Sequence, residues 1–575
     1  MVLTQIKLFA LIAGQEVNIE ITQGRLFGIR VDEEDGEYHF EFRKIPYAEP
    51  PVGELRFRDP LPKGPWEKPL NATTYGPVCA QPVVAVEDEA TGYAGSEDCL
   101  YLNVHTPRIP KSGGSSLSRT SLLPVMVYFH GGGFSGGSAN DLKTDWILQK
   151  DVVVVTLNYR VGALGFLTLG NSYVAGNMGL KDQLLALKWV NENIKTFGGD
   201  PAKVTLFGTS AGGMSAHLHQ LSPQGNNLYR GVIAMSGSAL HFATPMVKGH
   251  PEWTGQMFVN RLGCQKGGIT DIVWCLQECL VTDILALSPA EFNYANSLEN
   301  DLRNEVSLSF IPNVDHYSQN PFMPDLPINI MRQGKQKDIP IIMGTVEDEG
   351  ALWALVIWRE LYEFNGNWTY HGPRLMYYDD VNDIPYHHEL VANVTQHFYT
   401  GGLNFSQNHA QGIINMFTDQ QFLAPAIKSA KLQEQTQKSP VYFYELTHKP
   451  SISIVSLFGS GIAEESMDWG VTHGDDLVYL FRESNGIKDA IATDKDVMTS
   501  DNMLDLFTNF ATHKDPTPFQ VVVGQHTQQK ATQAYLSQLL LGSLKAVHVL
   551  SEYAANSESW LDLISDPVYW WLALC

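Results

Sequence analysis

The chain has 575 residues, of which 44% are hydrophobic and 18% are charged. This composition is close to the globular average and supplies a large apolar core, which excludes a disordered, collagen-like or coiled-coil protein. The 39 basic and 62 acidic side chains give a formal net charge of −23. A field of that sign repels nucleic acids and anionic lipid headgroups, so neither is expected as a partner.

The N-terminus has the pattern of a short signal peptide. Lys7 precedes an apolar run, and Gly14 is a small residue suited to cleavage. We therefore predict a signal peptide over residues 1–14 and a single domain over 15–575. Secretion is the predicted localisation, with the cytoplasm and the endoplasmic reticulum lumen as alternatives. No apolar run reaches the roughly 18 residues that a membrane span requires.

The next part of the chain alternates strand and helix patterns. Val125–Phe129 and Val152–Leu157 are apolar runs typical of parallel strands, and the turn-forming segment Lys111–Ser116 before them predicts a solvated loop. Apolar residues then recur at helical spacing over 182–194, and Val204–Phe207 is the next strand. The alternation predicts an α/β fold with a large, mostly parallel central sheet flanked by helices, and ligands at the carboxyl ends of its strands.

Two segments match the G-x-S-x-G pattern of a nucleophile elbow. Gly208–Gly212 lies between a predicted strand and a small-residue helix start, which favours Ser210 as a nucleophile raised on a sharp turn. The second match contains Ser135 but belongs to a glycine run that begins at His130. Backbone N–H groups of such a run can converge on a developing oxyanion, so we interpret it as an oxyanion loop, with a flexible glycine turn as the alternative.

A serine nucleophile needs a histidine base and an acid that orients it, and in elbow-type hydrolases both follow the serine. The candidate base is His473, in a glycine-flanked loop, and His448, after the predicted strand Val441–Leu446, is the alternative. The candidate acids are the three residues of the run 347–349, which follows the apolar strand Ile339–Gly344. The pattern leaves the choice among the three open, and a solvated acidic turn is the competing explanation.

These residues resemble the type-B carboxylesterase and cholinesterase family of α/β-hydrolases. The matching segments cover nearly the whole chain in the family's order: 42–51, 96–104, the glycine loop at His130, 176–183, the Ser210 elbow, 348–350 and 470–476. The resemblance implies the α/β-hydrolase fold and a serine carboxylesterase that acts on a small-molecule ester without a cofactor.

The resemblance also implies roles for individual residues. They are Ser210 as nucleophile, Glu349 as acid, His473 as base, Gly132, Gly133 and Ala211 as oxyanion-hole N–H donors, and Ser236 as a serine that supports the triad. Two disulfides are implied, Cys79 with Cys99 and Cys264 with Cys275, which leaves Cys279 and Cys575 unpaired.

The remaining patterns concern metal-binding sites and N-glycosylation sites. The cysteine spacing contains no paired C-x-x-C arrangement, so no metal site is predicted. Four N-x-S/T sequons, a number close to that expected by chance, are present. Their asparagines are candidate glycosylation sites: Asn71, Asn367, Asn393 and Asn404.

Two departures from the family pattern bear on the substrate. Thr209 stands where family members usually carry a glutamate before the serine, and no tryptophan lies between Cys79 and Cys99. Cholinesterases use both groups to hold a quaternary ammonium. These departures disfavour choline esters and favour uncharged, apolar ones.

The chain is also similar to insect juvenile hormone esterases in Arg56-Phe57, Asp182-Gln183 and the His473 loop. That resemblance implies xenobiotic, lipid or juvenile-hormone-like methyl esters as substrates. A cholinesterase and a catalytically silent adhesion protein of the neuroligin type are the alternatives.

The segment after the acidic run is apolar and rich in aromatic residues. It extends from Ala351 to Trp358 and contains Trp353. It is predicted either to form a wall of the substrate pocket or to pack in the core.

Overall fold

The computed structural model describes residues 16–33, 36–82, 93–110, 122–140, 142–241, 244, 250–287, 310–358, 365–375, 388–455, 468–481 and 491–518. The predicted signal peptide over 1–14, the predicted loop Lys111–Ser116 and Cys575 lie outside these ranges. Within them, no helix has both the length and the apolar character that crossing a bilayer requires.

A large sheet runs through the described residues. The strands are β1 (Glu16–Ile21), β2 (Gly24–Asp32), β3 (Tyr38–Pro46), β4 (Leu70–Asn71), β5 (Gln81–Pro82), β6 (Tyr93–Ala94), β7 (Tyr101–Thr106), β8 (Leu123–Phe129), β9 (Val153–Leu157), β10 (Gly199–Thr209), β11 (Gly231–Met235), β12 (Ile341–Val346) and β13 (Val441–Leu446). Their order across the sheet is β1-β2-β3-β7-β9-β8-β10-β11-β12-β13, with β4 beside β2, and β5 pairs with β6 separately.

The sheet changes character at β9. Neighbouring strands are antiparallel from β1 to β9 and parallel from β9 to β13. Every residue of β8, β9, β11 and β12 is buried, as expected for strands covered by helices on both faces. The predicted α/β class and the parallel strands at β8, β9 and β10 are confirmed. The antiparallel part was not predicted.

Helices cover the sheet. They are α1 (Asp145–Leu148), α2 (Gly162–Phe166), α3 (Met178–Asn193), α4 (Ala211–Leu221), α5 (His250–Arg261), α6 (Ile269–Glu278), α7 (Val281–Ala286), α8 (Pro327–Arg332), α9 (Ala351–Ile357), α10 (Trp368–Leu375), α11 (His388–Thr400), α12 (Ala410–Phe417), α13 (Ala424–Thr436), α14 (Asp475–Phe481) and α15 (Asp494–His513), with a π-helical segment, Thr418–Leu423, between α12 and α13. The predicted helix over 182–194 corresponds to α3, which buries Leu180, Leu184 and Leu187 at helical spacing.

Two disulfides join the pairs that the family resemblance implies, Cys79 with Cys99 and Cys264 with Cys275. Cys279 is half-buried and forms no disulfide with any described cysteine.

Four parallel neighbours position the candidate site. The strands β8, β10, β11 and β12 lie side by side in that order, so their carboxyl ends open on one edge of the sheet. The segments that leave these ends are the glycine loop at His130, the turn at Ser210, the segment at Ser236 and the acidic run 347–349.

Candidate active site

Ser210 is the only residue between β10 and α4, so the chain reverses from strand to helix at a single position. Its backbone has φ 59° and ψ −127°, a combination that strains any residue with a side chain. The Ser210 N–H donates to the carbonyl of Met235 at 2.9 Å, which ties the turn to the end of β11. Ser210 stays partly exposed although Thr209 and Ala211 are buried.

Glycines around Ser210 stand where a side chain would collide with backbone. A Cβ at Gly212 would lie 1.9 Å from the carbonyl oxygen of Phe129, and one at Gly208 would lie 2.5 Å from the same atom. A Cβ at Gly237 would lie 2.3 Å from the carbonyl oxygen of Ser210. Only glycine allows β8, the turn and the end of β11 to pack this closely.

The glycine loop after β8 lies against this turn. A Cβ at Gly131 would lie 3.2 Å from Cβ of Ser210. Gly132 and Gly133 have φ of 105° and 58°, and within the described residues neither donates its N–H to another protein group. The N–H of Ala211 belongs to the first turn of α4, which has no internal acceptor. All three predicted oxyanion-hole donors are therefore available at this edge.

His130 holds the base of the glycine loop. Its ring stacks on Tyr159 at 4.2 Å between centroids, and the Tyr159 hydroxyl donates to the His130 carbonyl at 2.8 Å. Burial lowers the pKa of His130 to about 4, so its ring is neutral near pH 7. Its Nδ1 lies 2.8 Å from the Gly131 carbonyl and carries the proton, because a carbonyl can only accept.

Glu349 and His473 form a buried pair. Nδ1 of His473 lies 2.6 Å from Oε2 of Glu349, and the N–H of Val346, at the end of β12, donates to Oε1 at 3.0 Å. Glu349 is fully buried and His473 is 7% exposed. Because a carboxylate only accepts, Nδ1 carries the proton and Nε2 is the basic nitrogen.

The other two acids of the run do not pair with His473. Asp348 accepts from the N–H of Val471 at 3.0 Å and from Nε2 of Gln411 at 2.7 Å, and its own N–H donates to the Val471 carbonyl. It thereby attaches the His473 loop to the end of β12. Partial burial, with the charges of Asp348 and Glu445, raises the pKa of Glu347. Of the three acids in 347–349, Glu349 is thus the one whose carboxylate contacts His473.

His448, the alternative base, lies in a different cluster. Its Nε2 is 2.9 Å from Oδ1 of Asp496, whose carboxylate also accepts from the Ser451 hydroxyl at 2.6 Å and the Thr493 N–H at 3.0 Å. Because Thr493 is the N-cap of α15, this cluster belongs to the start of that helix.

Ser236 lies beside the elbow, directly after β11. Its φ is 46°, it is fully buried, and its N–H donates to the Gly344 carbonyl at 2.8 Å. Its hydroxyl has no hydrogen-bond partner among the described residues, so it contacts neither Glu349 nor His473 by a hydrogen bond.

Asp476 is a residue of this site that the sequence analysis did not single out. It is fully buried, three residues after His473, and accepts a hydrogen bond from the Tyr444 hydroxyl at 2.9 Å. Its Oδ1 has no partner within the described chain. Desolvation, together with the charge of Glu349, raises its pKa to about 7. The available signal was a pair of consecutive acids directly after Gly474.

Two aromatic rings pack on His473. The centroids of Trp353 and Phe422 lie 5.3 and 4.7 Å from that of His473 and 5.0 Å from each other. The other apolar residues of Ala351–Trp358 whose side chains are described pack in the core, and Trp353 alone among them is partly exposed. The segment is therefore mainly core, with one residue turned toward the candidate site.

Thr209 brings no charge to the candidate site. It is 2% exposed, and its hydroxyl points to the Met235 sulfur at 3.6 Å.

The asparagines of the four candidate glycosylation sites are exposed. They are Asn71, Asn367, Asn393 and Asn404.

Comparison with known proteins agrees with this arrangement. A model of the carboxylesterase family matches residues 15–546. A carboxylic ester hydrolase of Bombus ignitus is 34% identical over 87% of this chain and 86% of its own length. A juvenile hormone esterase of Tribolium castaneum is 35% identical over 84% of this chain and 81% of its own. The crystal structure of juvenile hormone esterase from Manduca sexta, with OTFP covalently attached, is 28% identical, with a TM-score of 0.74 over 87% of this chain and 91% of that one.

Proposed function

This chain belongs to the carboxylesterase family and is a carboxylic ester hydrolase, and from that premise we propose that it cleaves uncharged, apolar esters through an acyl-enzyme on Ser210. The observation that carries the proposal is the strained backbone of Ser210 at the sheet edge where the His473–Glu349 pair also lies. Strain of this kind persists where the surrounding structure enforces it, typically at functional sites.

In the proposed reaction, Oγ of Ser210 attacks the ester carbonyl carbon while Nε2 of His473 takes the serine proton. Glu349 keeps the other imidazole proton on Nδ1 and stabilises the imidazolium. The free N–H groups of the glycine loop and of Ala211 donate to the tetrahedral oxyanion. His473 then gives its proton to the departing alkoxide, and water, activated by the same nitrogen, hydrolyses the acyl-enzyme. The OTFP attached covalently to the Manduca sexta enzyme supports covalent chemistry in this fold.

The surroundings of His473 support an uncharged substrate. Trp353 and Phe422 present apolar rings, and Thr209 replaces a carboxylate next to the nucleophile. The similarity to juvenile hormone esterases supports juvenile-hormone-like methyl esters as substrates. A cholinesterase is disfavoured by Thr209. A silent adhesion protein is disfavoured because serine, histidine and glutamate are all present.

A series of neutral methyl esters of increasing chain length tests the substrate class. Each buried methylene contributes about 0.8 kcal/mol, so kcat/KM should rise about fourfold per methylene until the pocket is filled. A choline ester should be a poorer substrate than its neutral dimethylbutyl isostere, and Thr209→Glu should narrow that gap. Faster hydrolysis of the choline ester by the wild type would contradict the proposal and favour a cholinesterase.

Export is part of the proposal. Two disulfides suit an oxidising compartment, and the four sequon asparagines are exposed. Expression in insect cells should deliver the protein to the medium without residues 1–14, with a mass that falls on deglycosylation. Retention in the cytosol with an intact N-terminus would contradict it.

A further inference from the structure

Two histidines and a glutamate converge inside the antiparallel part of the sheet. His39 and Glu41 lie two residues apart on β3 and so share a face, and His105 on β7 is the cross-strand partner of Glu41. The three residues are 5%, 6% and 1% exposed. Two strands, β9 and β8, separate β7 from the Ser210 strand, so this cluster is not part of the candidate active site.

The donor atoms of this cluster have the spacing of metal ligands. Nε2 of His39 shares a hydrogen bond with Oε1 of Glu41 at 2.9 Å, whose proton a metal ion would replace, and Nδ1 of His105 lies 3.3 Å from the same oxygen. All three atoms lie within 4.8 Å of one another. Ligands about 2.0 Å from a tetrahedral zinc ion are about 3.3 Å apart, so changes of at most about 1.5 Å in these separations bring the three atoms to corners of a tetrahedron.

His105 has a ring nitrogen that the protein leaves unsatisfied. Its Nδ1 is buried, and the contact with Glu41 lacks hydrogen-bond geometry, so this nitrogen has no hydrogen-bond partner among the described residues. Buried polar atoms in folded proteins are nearly always satisfied by protein, water or an ion. The unsatisfied nitrogen is therefore an independent indication that the cluster accepts a ligand.

Neighbouring charges fit a cation held by these residues. Oε1 of Glu33 lies 2.8 Å from Nδ1 of His39, the outer contact that commonly orients a metal-bound histidine with Nε2 as ligand. Arg43 pairs with Oε2 of Glu41 and leaves Oε1 toward the histidines. The carboxylates of Glu33 and Glu41 and the guanidinium of Arg43 together carry one net negative charge, which favours a divalent cation.

We propose that His39, Glu41 and His105 bind a zinc ion, with water or another small ligand in the fourth position. Imidazole and carboxylate donors suit zinc, and three protein ligands are a common number. The ion would join β3 to β7 and stabilise the antiparallel part of the sheet. The prediction of no metal rested on cysteine spacing, which cannot detect ligands contributed by two separate strands.

Zinc titration of the chelator-treated full-length protein tests the proposal. We expect one Zn²⁺ per chain by calorimetry, with a higher Tm after loading. His105→Ala should weaken binding about 100-fold or more, and Glu41→Gln should also weaken it. His448→Ala is the control, because it removes a histidine that contacts a carboxylate outside this cluster and should leave zinc affinity unchanged.

Circular dichroism establishes whether each variant is folded. If His105→Ala does not fold, X-ray absorption on zinc-loaded wild type decides the question, because the proposal requires two imidazole nitrogens on the ion. Loading with Co²⁺ should likewise give the visible absorption of tetrahedral cobalt. Absence of stoichiometric zinc in folded wild type, unchanged affinity in folded His105→Ala, or a coordination shell without two imidazoles would overturn the proposal.

Discussion

Two pentapeptides in this chain share the G-x-S-x-G pattern, yet the fold treats their serines differently. Ser210 stands between β10 and α4 with a strained backbone, and its N–H is bonded to the neighbouring strand end. Ser135 lies in a local turn, where its N–H donates to the Gly132 carbonyl at 2.9 Å and its hydroxyl lies 3.4 Å from the Gly133 carbonyl. The elements on either side of a motif, more than its five residues, set the backbone conformation of its serine.

Removal of each hydroxyl should separate the two serines most strongly. Ser210→Ala should lower kcat on the order of 10⁶-fold, because it removes the hydroxyl on which the proposed acyl-enzyme forms. Ser135→Ala should retain activity near that of the wild type, since the glycine loop uses its backbone. Steady-state kinetics on one neutral ester measures both. A comparable collapse in the two variants would mean that nucleophile and oxyanion loop have not been distinguished.

Loss of the Glu349 carboxylate should give the second largest fall in kcat. Glu349→Gln should reduce kcat by roughly 10⁴-fold, because an amide at this position no longer fixes the proton of His473 on Nδ1. Glu347→Gln is the control, and we expect it to retain most activity, since Glu347 does not pair with His473. Equal losses in both variants would show that the buried hydrogen bond at 2.6 Å does not identify the acid.

Glycines of the two pentapeptides should differ in their effect on stability. Gly212→Ala places a Cβ 1.9 Å from the Phe129 carbonyl, and we expect it to lower the free energy of unfolding by roughly 4 kcal/mol or more. Gly136→Ala meets Oε1 of Gln81 at 2.7 Å, and this side chain can shift if it weakens its hydrogen bonds to Gly137. Its expected cost is about 1 to 2 kcal/mol, the net contribution of one or two such hydrogen bonds. Urea unfolding of both variants measures the difference, and equal losses would contradict this explanation of the elbow.

The pH dependence of stability should reveal the buried Asp476 carboxyl beside the His473–Glu349 pair. Desolvation and Glu349 raise the pKa of Asp476 from 3.8 to about 7, so the folded state retains a proton that the unfolded chain has lost. This group therefore stabilises the fold least above about pH 7, and its contribution declines as pH rises from about 4. Between about pH 5 and pH 8, the free energy of unfolding of the wild type should fall because of Asp476. In Asp476→Asn this fall should be smaller by roughly 2 to 3 kcal/mol. Identical pH profiles for both proteins would contradict it.

Short sequence patterns were sufficient to predict individual strands and the elbow at Ser210. The strands β8, β9 and β13 are short apolar runs, and the elbow is a strand, a glycine-flanked serine and a helix start in immediate succession. Each of these signals lies within about ten residues, so composition and spacing suffice to detect it. The family resemblance then supplied roles for Glu349, His473 and the cysteine pairs.

Contacts between distant segments could not be predicted from the pattern of residues. The choice of Glu349 depends on a histidine 124 residues further along the chain, and only the fold determines which carboxylate of 347–349 faces it. Similarly, Trp353 contacts His473 while its neighbours on α9 enter the core. His39 and His105 meet because β3 and β7 pair, and the sequence analysis predicted neither strand.

The identity of the nucleophile is tested most directly by trapping it. An organophosphate ester should react once per chain, because its tetrahedral phosphoryl oxygen can occupy the same N–H donors as the oxyanion of the reaction. Peptide mass mapping of the inactivated enzyme should find the adduct on Ser210, with Ser135 unmodified. An adduct on any other serine, or inactivation without an adduct, would contradict the proposed mechanism.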